Sequence, residues 1–230
     1  MQYNTNEILV EQNERLARAR KDGIISSAIF AGDIIIPFLY GFFLGVPSED
    51  TQNILGMIIA VTGLIGVYYI WRALKTIQEM CDNGVAKLFI RSIIVGILAI
   101  IILAIGSTMG DKNTGLIFVA LGILMILYIA IIWFVINFRL AKSTKNKFFK
   151  IYTITSIVFA ILVALMQVGA YFITVSILNG SMQISPEFKT ALSVLLSIVT
   201  PLAVIAMQIA TSLLQLIAWI KVEKIVCSEI

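Results

Sequence analysis

The chain has 230 residues, of which 60% are hydrophobic and 13% are charged, and its formal net charge is +4. A soluble domain has apolar residues at about half of its positions and charges at about a quarter, so this composition excludes an ordinary soluble protein. The positive charge does not indicate a nucleic-acid partner, because the basic residues flank apolar runs instead of lining one folded face.

Six apolar runs follow one another, at about residues 23–46, 54–74, 86–107, 115–138, 151–178 and 189–220. Each reaches the roughly 18–20 residues that a helix needs to cross a hydrocarbon core of about 30 Å. We therefore predict an all-α integral membrane protein, a bundle of six transmembrane helices with short loops. Its predicted parts are a cytoplasmic amphipathic N-terminal segment (1–22), the transmembrane domain (23–220) and a cytoplasmic tail (221–230).

The basic residues predict the orientation of this bundle. Fifteen of the 17 Lys and Arg residues lie in the N-terminal segment, in the second and fourth gaps between runs and in the tail, whereas the other gaps hold only Lys112 and Lys189. Basic residues accumulate on the cytoplasmic side of membrane helices. We expect a multi-pass protein of the plasma or inner membrane with both termini in the cytoplasm.

The first run contains Asp33, the one formally charged residue well inside a predicted span. An aspartate near the bilayer midplane costs roughly 2.5–3.5 kcal/mol on insertion scales, so it should face the bundle interior or water. No Lys or Arg lies at a matching depth. The side chain is then protonated, hydrogen-bonded to neutral groups, or occupied by a cation.

The second run carries small residues at Gly56, Ala60, Gly63 and Gly66, which permit close approach of a neighbouring helix. Its helix should continue to about Met80 and stop at Asn83-Gly84. At the end of every even-numbered run, a Trp is followed by basic residues. We interpret these as interface belts, with three two-helix units as the alternative.

The fourth gap has five basic residues and no acidic residue, a composition typical of contact with anionic lipid headgroups. They are Arg139, Lys142, Lys145, Lys147 and Lys150. The bilayer and its anionic headgroups are thus the expected partner, and protein subunits in the membrane or the cytoplasm are left open by the sequence. The two cysteines, Cys81 and Cys227, fall in predicted cytoplasmic segments, so we expect reduced thiols and no disulfide.

Gln167 and Gln208, in the fifth and sixth runs, lie at a depth comparable with that of Asp33. The three side chains form a candidate polar layer that binds a solute or ion, near carbonyls freed by Pro37 and Pro201. An equally weighted interpretation makes them interhelical hydrogen bonds of about 0.6 kcal/mol each.

The chain has no histidine, no Walker A phosphate loop and no nucleophile elbow, so we predict no catalytic residue, no metal site and no cofactor. The leading hypothesis is a small permease or channel, or the membrane subunit of one, moving a small solute or cation past Asp33. The alternatives are a non-transporting scaffold subunit of a larger complex and the membrane component of an ATP-driven exporter. No resemblance to a known family enters this argument.

Overall fold

The computed structural model describes residues 5–45, 48–108, 112–178 and 185–227, with side chains from Gln12 onward except at 167–178, 186–201 and a few helix-end positions. The described residues form six α-helices and no strand. Their bounds are Thr5–Leu44 (α1), Glu49–Cys81 (α2), Val85–Thr108 (α3), Lys112–Thr144 (α4), Lys147–Leu178 (α5) and Pro186–Ile220 (α6). The all-α prediction is therefore confirmed, and α1 runs without a break across the predicted boundary at residue 22.

All six helices are long and apolar enough to cross a membrane. Their outward-facing side chains are large and apolar along most of their length, as at Phe43, Met57 and Ile100, each at least 70% exposed. Soluble monomers rarely expose contiguous apolar surface on this scale. Such an exposed apolar surface is typical of a helical bundle that spans a membrane.

The helices pack as a closed ring in chain order. Each helix contacts its neighbours in the sequence, and α1 also packs against α6, while no extensive packing crosses the ring among the described residues. Packing is most extensive within the α1–α2 and α3–α4 pairs. The ring is consequently built from three antiparallel hairpins.

One end of this ring, which we call the base, holds the α2–α3 turn, the α4–α5 turn and residues 221–227. Its apolar core draws on all six helices and includes the fully buried Trp219, Phe149, Leu74 and Ile136. The Phe149 and Trp219 rings meet edge to face with centroids 5.2 Å apart. Every large side chain below 2% exposure in the described part of the chain lies toward the base. The ring is therefore sealed at this end.

Polar side chains of the two base turns fix the helices that they join. Asn83 accepts from Val85 N (3.3 Å) and donates to Ser143 Oγ (3.0 Å). Asn146 accepts from Phe148 N (3.0 Å) and donates to Ala218 O (2.7 Å). Each asparagine thus closes its own turn and holds the neighbouring hairpin.

Cys81 and Cys227 are bonded to each other, with their Cα atoms 5.0 Å apart. Our expectation of two free thiols was therefore wrong for this structure. That expectation used only the redox state of the predicted compartment, and it could not anticipate that the tail folds back over the α2–α3 turn. The same return brings Val226 N to 2.6 Å from Ser143 O, where it donates a hydrogen bond.

Candidate functional site

Asp33 lies half-buried on α1, facing α2. Its Oδ1 accepts a hydrogen bond of 2.6 Å from Thr62 Oγ1. A neutral hydroxyl thus meets the carboxyl group, as expected for a charged side chain without a Lys or Arg at its depth. Thr62 was not singled out in the sequence, because a threonine within an apolar run gives no signal of its own.

The Thr62 hydroxyl has three acceptors within reach but only one proton. It lies 2.8 Å from Ile58 O and 3.2 Å from Ile59 O, as well as 2.6 Å from Asp33. With Asp33 ionised, the hydroxyl donates to the carboxylate, which is the stronger, charge-assisted bond. With Asp33 protonated, the acid can donate to Thr62 Oγ1 while the hydroxyl turns to Ile58 O. The pair is therefore hydrogen-bonded in both protonation states of Asp33.

Small residues on α2 bring the two helices together at this pair. A Cβ on Gly63 would lie 3.9 Å from Asp33 Oδ2, and one on Gly66 would lie 3.0 Å from the Phe30 ring. One turn nearer the base, Ser26 Oγ donates to Gly66 O at 2.9 Å. Gly63 and Gly66 of the small-residue face thus pack against α1 within the chain, whereas Gly56 and Ala60 are exposed.

Of the other two residues of the predicted polar layer, Gln208 lies apart from this pair. Gln208 is exposed in a cavity of about 420 Å³ between α5 and α6, together with Ser156, Met207 and Thr211. Asp33 does not line this cavity. The side chain of Gln167 lies outside the described residues. Within the described residues, the structure pairs Asp33 with Thr62 and places Gln208 in a separate cavity.

A second carboxylate, Asp22, lies nearer the base and was missed by the sequence analysis. It is 4% exposed, and its Oδ2 is 3.2 Å from Arg72 Nε. The Arg72 guanidinium carbon also lies 5.6 Å from the centroid of the Tyr68 ring. Arg72 was interpreted only as a topological charge, and the i,i+4 and hydropathy patterns contain nothing that would pair it with a residue of α1.

The five basic residues of the fourth gap fall into two groups. Arg139 is half-buried and donates from Nη1 to Asn83 O at 2.7 Å. The four lysines are exposed around the α4–α5 turn: Lys142, Lys145, Lys147 and Lys150. Their predicted contact with headgroups stays a prediction, and Arg139 has a structural partner in addition.

The described residues contain no group of three or more His, Cys, Asp or Glu side chains that could hold a metal ion. Comparison of the chain with protein-family models, with curated proteins and with solved structures finds no match.

Proposed function

We propose that this chain crosses the membrane six times with both termini in the cytoplasm, and that it is a small permease in which Asp33 binds a proton or a small cation. The observation that carries the proposal is the Asp33–Thr62 pair, a carboxyl group at membrane depth whose hydrogen bonds can be satisfied with or without a proton. Intramembrane carboxyl groups of this kind mark ion and proton pathways in membrane proteins.

The position of the pair relative to the base supports this role. Asp33 is eleven residues beyond Asp22 on one continuous helix, which is about 16 Å at 1.5 Å per residue. The sealed core of the base lies on the cytoplasmic side of Asp33 in the proposed orientation. The described state is then the one closed toward the cytoplasm, and transport requires the base to open.

Ion binding at Asp33 changes the donor direction of Thr62 between the carboxylate and the α2 backbone. Because Thr62 lies on α2 and Asp33 on α1, protonation alters a contact between two helices of one hairpin. We propose that this change couples binding to movement of the helices, with Gln208 and its cavity on the neighbouring α5–α6 hairpin as a second, neutral contact for the solute.

Transport by reconstituted vesicles tests the proposal. Asp33→Asn should abolish uptake, and Thr62→Val should lower it by about tenfold or more, since a hydrogen bond to a charged group contributes roughly 1.5–3 kcal/mol. Thr76→Val is the matched control, because Thr76 is also half-buried on α2 and donates only to the backbone, at Arg72 O. Uptake by Asp33→Asn equal to wild type, for every solute that the wild type carries, would refute the proposal.

The scaffold alternative is based on the small-residue face of the second span and on the predicted cytoplasmic helices. Gly63 and Gly66 of that face are covered by α1, which leaves Gly56 and Ala60 exposed. No described contact favours an ATP-driven exporter. The permease is therefore placed first.

A further inference from the structure

A second cavity lies at the base, between the α4–α5 turn and the segment that follows α6. Its volume is about 250 Å³, and its walls carry Lys145 and Lys147 from the turn and Lys221 and Lys224 from the tail. One acidic residue, Glu223, lines it as well. Four positive charges and one negative charge thus converge on a concave surface from two distant parts of the sequence.

The backbone of both walls is held in place before any ligand binds. On one wall, Asn146 is 7% exposed and bonds both Phe148 N and Ala218 O. On the other, Val222 is 1% exposed, and the tail is fixed beyond it by Val226 N and by the Cys81–Cys227 bond. Preorganised walls lower the ordering cost of binding, so the lysines are placed to act together.

The lysine ammonium groups have no carboxylate partner among the described residues. Neither described ion pair, Arg72–Asp22 or Lys75–Glu79, involves them. Lys147 Nζ lies 6.0 Å from the centroid of the Phe148 ring, which leaves its ammonium free to bind an anion. Four like charges around one cavity repel one another, and a multivalent anion removes that repulsion.

We propose that this cavity is a binding site for a phosphate monoester group. A phosphate monoester has close to two negative charges and three acceptor oxygens, and lysine recognises phosphate as a point charge from several directions. The N-terminus of α5, which begins at Lys147, adds partial positive charge on the same side. The cavity opens just past the end of α6, at the level of the bilayer headgroups in the proposed orientation, so a phosphatidic-acid headgroup and free phosphate share the chemistry that the site selects.

Two probes distinguish these sources, with the full chain purified in maltoside detergent. Native mass spectrometry counts bound dioleoyl phosphatidic acid against dioleoyl phosphatidylcholine, and a thermal-shift titration uses inorganic phosphate with chloride as the reference salt. We expect one phosphatidic acid per chain in preference to phosphatidylcholine. Saturable stabilisation by inorganic phosphate without preferential lipid binding would assign the same site to a soluble phosphate.

The two decisive variants remove the same number of positive charges, one from the walls of the cavity and the other from positions outside it. Lys147→Gln with Lys224→Gln, one residue from each wall, should weaken binding by about tenfold or more. Lys142→Gln with Lys150→Gln removes two exposed charges that do not line the cavity, and should change binding by less than about twofold. Lys147→Arg with Lys224→Arg should retain it.

All four residues are exposed, and circular dichroism verifies that each variant folds. Equal losses in the two Gln pairs would show that only diffuse charge attracts the probe, and would overturn the proposal. Absence of preferential binding for either probe would overturn it as well. Neither result bears on transport through Asp33, which the reconstituted-vesicle assay measures independently.

Discussion

At the scale of single residues, Gly23 has less room for a side chain than any other described glycine. It is buried on α1, and a Cβ there would overlap the indole of Trp219, which is itself 0% exposed. The ring of Trp219 also meets the ring of Phe149 edge to face. The absence of a side chain at residue 23 is therefore what allows α1 to close the ring against α6.

We expect Gly23→Ala to destabilise the protein by about 1–3 kcal/mol, because overpacking displaces a buried aromatic ring that has no space to move into. Gly41→Ala is the control on the same helix, since a Cβ at Gly41 would meet nothing within 4 Å. That change should be neutral or stabilising by up to about 1 kcal/mol, from helix propensity. Unfolding in a denaturing detergent, followed by circular dichroism, measures both. A loss at Gly23 no larger than at Gly41 would contradict the packing described.

At the scale of the elements, the three hairpins of the ring repeat one pattern at the base. The last turns of α2 bury residues at i, i+3, i+4 and i+7 within Ile70–Ile77. The same spacing recurs from Gln215 in α6 to Val222, which lies just after the end of that helix. The buried residues Ile136, Asn137 and Leu140 at the end of α4 fit the same spacing. This burial pattern is the one expected from the alternative of three two-helix units. The tryptophans do not share its register, since Trp71 is only half-buried and Trp219 is fully buried against Phe149. Trp219 therefore does not reach the surface, as a residue of an interface belt would.

The asparagines of the two turns between the hairpins lead to a prediction for a matched pair of mutations. Asn83→Ala and Asn146→Ala each leave a backbone N–H without its side-chain acceptor, and each also lose a bond to the next hairpin. We expect each to lower the free energy of unfolding by about 1–3 kcal/mol. Asn53→Ala, on an exposed position of α2, should stay within about 0.5 kcal/mol of the wild type. Unfolding in the same denaturing detergent measures these changes in the free energy of unfolding. A loss for Asn146→Ala equal to that for Asn53→Ala would mean that Asn146 does not stabilise its turn.

Gly84 completes the first of these turns. Its φ is +68°, a left-handed conformation, and a Cβ there would lie 3.0 Å from Arg139 Nη1. Both the backbone angle and the approach of the guanidinium explain why glycine stands at this position. The sequence predicted the helix stop at Asn83-Gly84, and the observed end of α2 at Cys81 confirms it.

At the scale of the whole molecule, two properties of the base point to different compartments. Its surplus of Lys and Arg favours the cytoplasm, whereas the Cys81–Cys227 bond is of a kind that is rare in the cytosol. We keep the cytoplasmic orientation as our proposal because it accounts for 15 of 17 basic residues across the chain, whereas the bond concerns one pair.

Accessibility of single cysteines tests this orientation. In a chain with Cys81→Ser and Cys227→Ser, Glu49→Cys at the opposite end of the ring should react with a membrane-impermeant maleimide on intact cells. Lys142→Cys at the base should react only after permeabilisation. Both wild-type residues are exposed. The reverse pattern would place the base outside the cell and would agree with the disulfide instead.

The sequence predicted the six helices because hydropathy is a local property that each run carries by itself. It did not predict which helices meet. The Asp33–Thr62 and Asp22–Arg72 contacts both depend on which face α1 turns toward α2, where Gly66 allows the Phe30 ring to approach closely. Gln208 is not next to Asp33 although the sequence places both at a similar depth. Residues at the same level of a ring of helices can face different neighbouring helices.

The bond between Cys81 and Cys227, 146 positions apart, closes α3 to α6 into a covalent circle from which α1 and nearly all of α2 hang as an arm. A single nick in the α4–α5 turn therefore opens the circle without dividing the molecule, and the two fragments stay joined until a reductant is added. A nick between α1 and α2 releases a free fragment at once. Electrophoresis of nicked protein with and without reductant thus shows directly which fragments of the chain the disulfide joins.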